Sequence, residues 1–165
     1  MIELKLVNYN DPILRQESKI FNFNDPPLDP IELSESMVKL MYDSNALSLS
    51  GIQVGIPYSV FVMRGSPQNF ACFNPRIVMP STEMIRLEET SATYPGLSVK
   101  VKRPQHCRVR FTMPNATTRT DTFTGITARI FQQNMVFLSG KLFWNDANPI
   151  HRDQALKKWR YFIKK

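Results

Sequence analysis

The run from Ile126 to Ser139, closed by Gly140, constrains this chain most. It predicts a helix with Gly140 as its C-terminal stop, because glycine accepts the left-handed backbone that ends a helix without a steric penalty. Ile126, Ile130, Gln133 and Phe137 share one face of it at helical spacing. Met135, Val136 and Phe137 read as core filling, so the helix is placed at the centre of the fold.

The remaining elements surround it. Tyr58 to Arg64 and Arg108 to Met113 predict strands by β-branched and aromatic content, with weaker strand signals at Phe70 to Phe73, Val99 to Arg103 and Asp121 to Phe123. Asn22 to Pro30 reads as a loop leading into a helix. Asp29 is suited to cap that helix, Pro30 fits its first position, and Glu32 has capping-box spacing. Leu33, Met37, Leu40 and Met41 form its apolar stripe, and Asn45 ends it. The last fifteen residues predict a third helix with Ala155, Leu156, Trp159, Phe162 and Ile163 on its apolar stripe. Arg152, Lys157, Lys158, Arg160, Lys164 and Lys165 make that helix basic, as a solvated face or a dock for an anionic partner. Short strands around a central helix, closed by a C-terminal helix, give an α+β class.

Neither a repeat nor a linker divides the 165 residues, so one domain over 1–165 is expected. No apolar run is long enough to span a bilayer, and no membrane partner is expected. The N-terminal stretch has no apolar signal core, which points to use in a cytoplasm. Cys72 and Cys107 read as two reduced, buried thiols. The formal net charge of +7 favours anionic partners. Its Lys and Arg residues are scattered outside the C-terminus, and no motif reads bases, so no specific nucleic acid is expected.

Three segments carry more. They are Ala46-Leu47-Ser48-Leu49-Ser50-Gly51-Ile52-Gln53-Val54-Gly55, then Glu89-Thr90-Ser91-Ala92-Thr93-Tyr94-Pro95-Gly96, then Gln132-Gln133-Asn134-Met135-Val136-Phe137-Leu138-Ser139-Gly140. In order and spacing they resemble the three motifs of peptide deformylases, GxGLAAxQVG, EGCLS with a following Pro-Gly, and QHExDHLxG. Asp11 to Arg15, Phe73-Asn74-Pro75 and Thr127 to Gln132 support the resemblance. The combination of YPGL, VKVKRP, RFTMPN, FTGITARIFQ and NPIHRDQAL most resembles deformylases encoded by marine tailed phages. The family's fold implies short antiparallel sheets around the central helix.

By resemblance, Gln53 stands where the family's Gln steadies the oxyanion forming on the formyl group; a buried Gln bonded to backbone is the other use. Ser91 stands at the ligating Cys, Gln133 and Phe137 at the two ligating His, and Asn134 at the general acid and base. A serine hydroxyl is a poor ligand for zinc or ferrous iron, and a carboxamide does not exchange protons near neutral pH. Ser91, Gln133 and Asn134 are expected to bond to one another if buried. Ser91 as a metal-free nucleophile lacks a neighbouring base. His106 and His151 pair with no second ligand at a metal spacing. Glu89 and Arg103 match a structural ion pair. The expectation is therefore a degenerate, inactive relative, a pseudoenzyme with no metal and no cofactor.

Three roles follow from that expectation. The first is a structural subunit of a larger viral assembly, a virion component, located in the virion or the host cytoplasm. The second is a peptide-binding module holding an extended chain beside the first two motifs. Leu47, Leu87, Ile126 and Ile130 would lie near the pocket for its first side chain, with ordinary core packing as the alternative. The third is a ribosome contact through the basic terminal helix, which bacterial relatives use. Side chains at Ala46 and Ser48, where the family has glycine, favour the first.

Overall fold

The computed structural model describes residues 1–164. Helix α1 spans Pro30–Asp43, and the Asp29 carboxylate accepts from the amides of Ile31 and Glu32. Those amides have no partner within the helix, so the cap satisfies them. Glu32 does not return the bond as a capping box would; it faces the Met1 amino group at 3.1 Å. Leu33, Met37 and Met41 are fully buried. Asn45 takes φ 52°, the left-handed turn that stops the helix.

Seven strands follow: β1 (Ser48–Ser50), β2 (Val60–Met63), β3 (Phe70–Pro80), β4 (Met84–Glu89), β5 (Val99–Pro104), β6 (His106–Thr112) and β7 (Thr118–Thr124). They form a five-stranded sheet ordered β1-β2-β3-β6-β7 and a two-stranded sheet of β4 and β5. Strand pairing in both sheets is antiparallel. The strand expected from Tyr58 starts two residues later, because Tyr58 makes only an isolated bridge to Lys19. The short signal at Phe70 extends to Pro80 with breaks in register. Asn74 sits at φ 49° there, and Pro75 has no amide to give the ladder. Strands β1 and β4 were not expected.

Helix α2 spans Gly125–Leu138 and helix α3 spans Pro149–Ile163. Phe131 of α2 meets Phe61 edge-on at 5.0 Å and lies with Cys72, Cys107, Val109 and Phe111 under the five-stranded sheet. Phe137 turns to a second cluster with Tyr94, Phe143, Trp144 and Trp159. Gly140, at φ 76°, ends α2 against the backbone of Arg15 and Gln16, where a Cβ would sit 2.7 Å from a carbonyl carbon. Trp159 anchors α3, its indole N–H donating to the Pro95 carbonyl at 2.9 Å. Lys157, Lys158 and Arg160 stay exposed on the far side; Lys165 lies outside the described residues. The α+β class, with antiparallel sheets around α2 and a closing terminal helix, is what the structure shows.

Candidate functional site

A cleft opens between β1, β4 and the first half of α2. Leu47 and Ser48 line one wall, Glu88 to Ala92 the other, and Ile126, Ile130 and Gln133 the helix side. Strand β1 ends the large sheet and β4 pairs only with β5, so both walls carry an edge strand. Edge strands have backbone N–H and C=O groups without a ladder partner.

Of the apolar residues singled out above, Leu47, Ile126 and Ile130 meet in this cleft. Leu47 and Ile126 are more than half exposed, at 52% and 58%, so core packing does not account for them. Leu87 lies further along β4 opposite Val101, outside the lining.

The floor carries a network of amides and hydroxyls. The Gln53 carbonyl oxygen accepts from the Ser50 amide at 2.8 Å and the Ser50 hydroxyl at 3.0 Å. Its Nε2 donates to Ser91 Oγ at 3.0 Å and Thr93 Oγ1 at 2.9 Å. Both ends of this amide are thus engaged within the protein. Asn134, fully buried, donates through Nδ2 to Ser48 Oγ and to the Ile130 carbonyl, both at 2.9 Å. Its Oδ1 is buried without a partner among the described residues. Gln133 Nε2 donates to the Thr90 carbonyl at 3.0 Å. The expected mutual bonding of Ser91, Gln133 and Asn134 is not what forms; each bonds to the wall nearest it. Among the described residues Ser48 and Ser91 accept through Oγ and donate to no protein group, so each has a hydroxyl proton to offer the cleft.

Bordering the cleft through Glu89 and Arg129 lies a buried charge cluster. The Glu89 carboxylate accepts from Arg103 Nε and Nη2 and from Arg129 Nη1. Arg129 also donates to the carbonyls of Ile85 and Val101, and Arg103 to that of Phe143. Burial lowers the Arg129 pKa from its ordinary value, and Glu89 opposes that shift. The Glu89–Arg103 pair was expected, whereas Arg129 was missed. Its signal was a lone cation inside Ala128-Arg129-Ile130-Phe131, a stretch buried throughout.

His106 opens β6 and His151 lies in the first turn of α3; neither lines the cleft. The family resemblance implies a metal at the positions of Ser91, Gln133 and Phe137. Those donors do not fit one. Ser91 Oγ is a neutral hydroxyl that already accepts from Gln53 and the Thr93 amide. Gln133 offers a carboxamide, and Phe137, 2% exposed, offers only a ring packed near Phe143. Zinc and ferrous iron are held by thiolate, imidazole or carboxylate. Among the described residues no three His, Cys, Asp or Glu side chains are grouped to supply such a set.

Residues 3–153 match the family model described as polypeptide deformylase. A peptide deformylase of Agrobacterium fabrum is 28% identical over 159 residues, covering 93% of this chain and 92% of its own length. A plant type 1B peptide deformylase has a crystal structure that superposes with a TM-score of 0.89 at 26% identity, over 99% of this chain and 92% of that one. A Plasmodium falciparum peptide deformylase solved in complex with an inhibitor gives a TM-score of 0.86 at 28% identity, over 98% and 100%.

These findings correct the functional expectation. The relatives bear the name of an enzyme, and nothing among them points to a pseudoenzyme, a metal-free form or a virion structural part. The expectation failed because it weighed four side chains at the centre of the site against a likeness that runs nearly the whole chain. Matched over 3–153 and in the fold of solved relatives, this chain belongs to the peptide deformylase family.

Proposed function

We propose that the cleft receives the N-terminal end of a peptide, laid extended between β1 and β4, and that N-formylated peptides are the class it handles. The observation that carries this is the pair of edge strands on the two walls. An extended chain between them can bond to backbone on both sides, a mode that sets affinity by main-chain hydrogen bonds. Leu47 and Ile126 would cover the first side chain, and Ile130 would close the pocket behind it. A formyl oxygen is an acceptor without charge, which suits the hydroxyl protons of Ser48 and Ser91. The name of the relatives supports the substrate class.

Two finer readings belong here. Ser91, Gln133, Asn134 and Phe137 stand at the family's ligand and acid–base positions; their places within the second and third motifs support this. The closeness to phage-encoded members rests on the sequence runs quoted above.

The test titrates formyl-Met-Ala-Ser and Met-Ala-Ser separately, with formate release followed in parallel. The formylated peptide should bind more tightly, and Ile126→Asp should weaken it at least tenfold, or ~1.4 kcal/mol. Equal affinity for both peptides, unchanged by Ile126→Asp, would refute the assignment. Formate release would extend the assignment from recognition to turnover.

A further inference from the structure

From the outer face of the β3-β6-β7 sheet, we infer a second binding surface, fitted to the phosphate backbone of a nucleic acid and blind to its bases. Cys107, Val109 and Phe111 of β6 point into the core beneath α2, so the alternate residues Arg108 and Arg110 point away from it. In register with them across β7 stand Thr122 and Thr120, and at either end Thr124 opposite His106 and Thr118 opposite Thr112. On the other side Arg76 of β3 lies directly opposite Arg110. All three arginines are exposed.

Among the described residues this arrangement has no internal counter-charge. Arg76, Arg108 and Arg110 take part in none of the ion pairs among the described residues. The one carboxylate on the three strands is Asp121. It is in register with buried Val109 and pairs with Arg119. Like charges directly opposite in a sheet repel, so Arg76 and Arg110 form a place where an anion is stabilising. Arg108 and Arg110 are two residues apart along one strand, roughly 6.8 Å. The surface is therefore a row of cations beside a row of hydroxyls. Arginine and threonine are both common donors to phosphate oxygens. No exposed aromatic side chain lies on these strands to stack on a base. A net charge of +7 favours the same partner at long range. The surface faces away from the α2 side that lines the cleft, so the proposal stands independently of the peptide assignment.

Fluorescence anisotropy with a labelled single-stranded RNA, and with DNA of the same sequence, tests it. Wild-type protein should bind both, with affinity falling as salt rises. Replacing Arg76, Arg108 and Arg110 together with threonine should weaken binding more than tenfold. It should also flatten the log–log salt slope by about 2, the share of three single-strand phosphate contacts. A matched control replacing Lys157, Lys158 and Arg160 of α3 should leave affinity within threefold. If the triple variant folds poorly, Arg108→Thr alone should still flatten the slope by about 0.7. The proposal is overturned by an unchanged slope in these variants or by loss of binding in the α3 control alone. Binding of poly-glutamate as tightly as RNA, or a strong preference for one base sequence, would overturn it equally.

Discussion

Replacing Glu89 with glutamine should cost this protein a large part of its stability. The carboxylate takes three hydrogen bonds from two guanidinium groups, and all three residues are at least 95% buried, with Arg103 the most exposed at 5%. A carboxamide leaves one oxygen to accept, turns an N–H₂ toward an N–H, and leaves two buried cations without a counter-charge. Breaking a buried pair from one side costs about 3–5 kcal/mol. Domains have only about 5–15 kcal/mol in total. At ~2–4 °C per kcal/mol for a chain of this size, the melting temperature should fall by roughly 6–20 °C. Lys39→Ala provides the comparison, since its pair with Asp43 is more than half exposed on both sides and should contribute under ~1 kcal/mol. Urea and thermal unfolding followed by circular dichroism would measure both. Adding Arg129→Met to Glu89→Gln should recover part of the loss, because it removes one of the uncompensated charges. The reasoning is refuted if Glu89→Gln melts within a few degrees of Lys39→Ala, or if the second substitution deepens the loss by its full single-mutant amount.

Further expectations concern separate parts of the fold. Gly140→Ala should destabilise by about 2 kcal/mol or more, from left-handed strain together with the approach to the Arg15 and Gln16 backbone; chemical unfolding would show it. Trp159→Ala should cost about 3–5 kcal/mol, and loss of the indole contacts to Tyr94 and Tyr9 should change the near-ultraviolet spectrum. Burial pushes the Cys107 thiol up to about 11. Its neutral form is then favoured in the folded state, so its contribution is complete below the ordinary thiol range. That contribution is lost as pH rises through about 11. Cys107→Ala should flatten the decline in stability across that alkaline window, measured by urea midpoints at successive pH values.

Where local chemistry alone decides an element, the sequence was a good guide. The Asp29 cap, the Asn45 turn and the Gly140 stop each depend on a few neighbouring atoms, and each lies where it was expected. Strand β4 escaped because Met84 to Glu89 has no clean alternation: only Glu89 is buried, held there by arginines from elsewhere in the chain. Cationic residues that look scattered in sequence are gathered by strand pairing, which sets Arg76 beside Arg110. The site divided along the same line. Motif spacing marked Gln53, Ser91, Gln133 and Asn134, but which group each one bonds depends on the meeting of β1, β4 and α2. The inactivity inferred from Ser91, Gln133, Asn134 and Phe137 was overturned, because a substitution at a site speaks to one step whereas the family likeness runs over residues 3–153.

The Glu89 cluster also joins parts of the chain that border the cleft. One carboxylate belongs to β4, one guanidinium to β5 and the other to α2, and further bonds run on to the Phe143 carbonyl. Wall, backing strand and helix are joined at Glu89, at the edge of the cleft. That joint holds the β4 wall to the helix; the wall carrying Leu47 and Ser48 is tied to the helix separately, through Asn134 and Ser48. A ligand entering this cleft would meet the helix and the β4 wall already joined, with little left to order between them on binding.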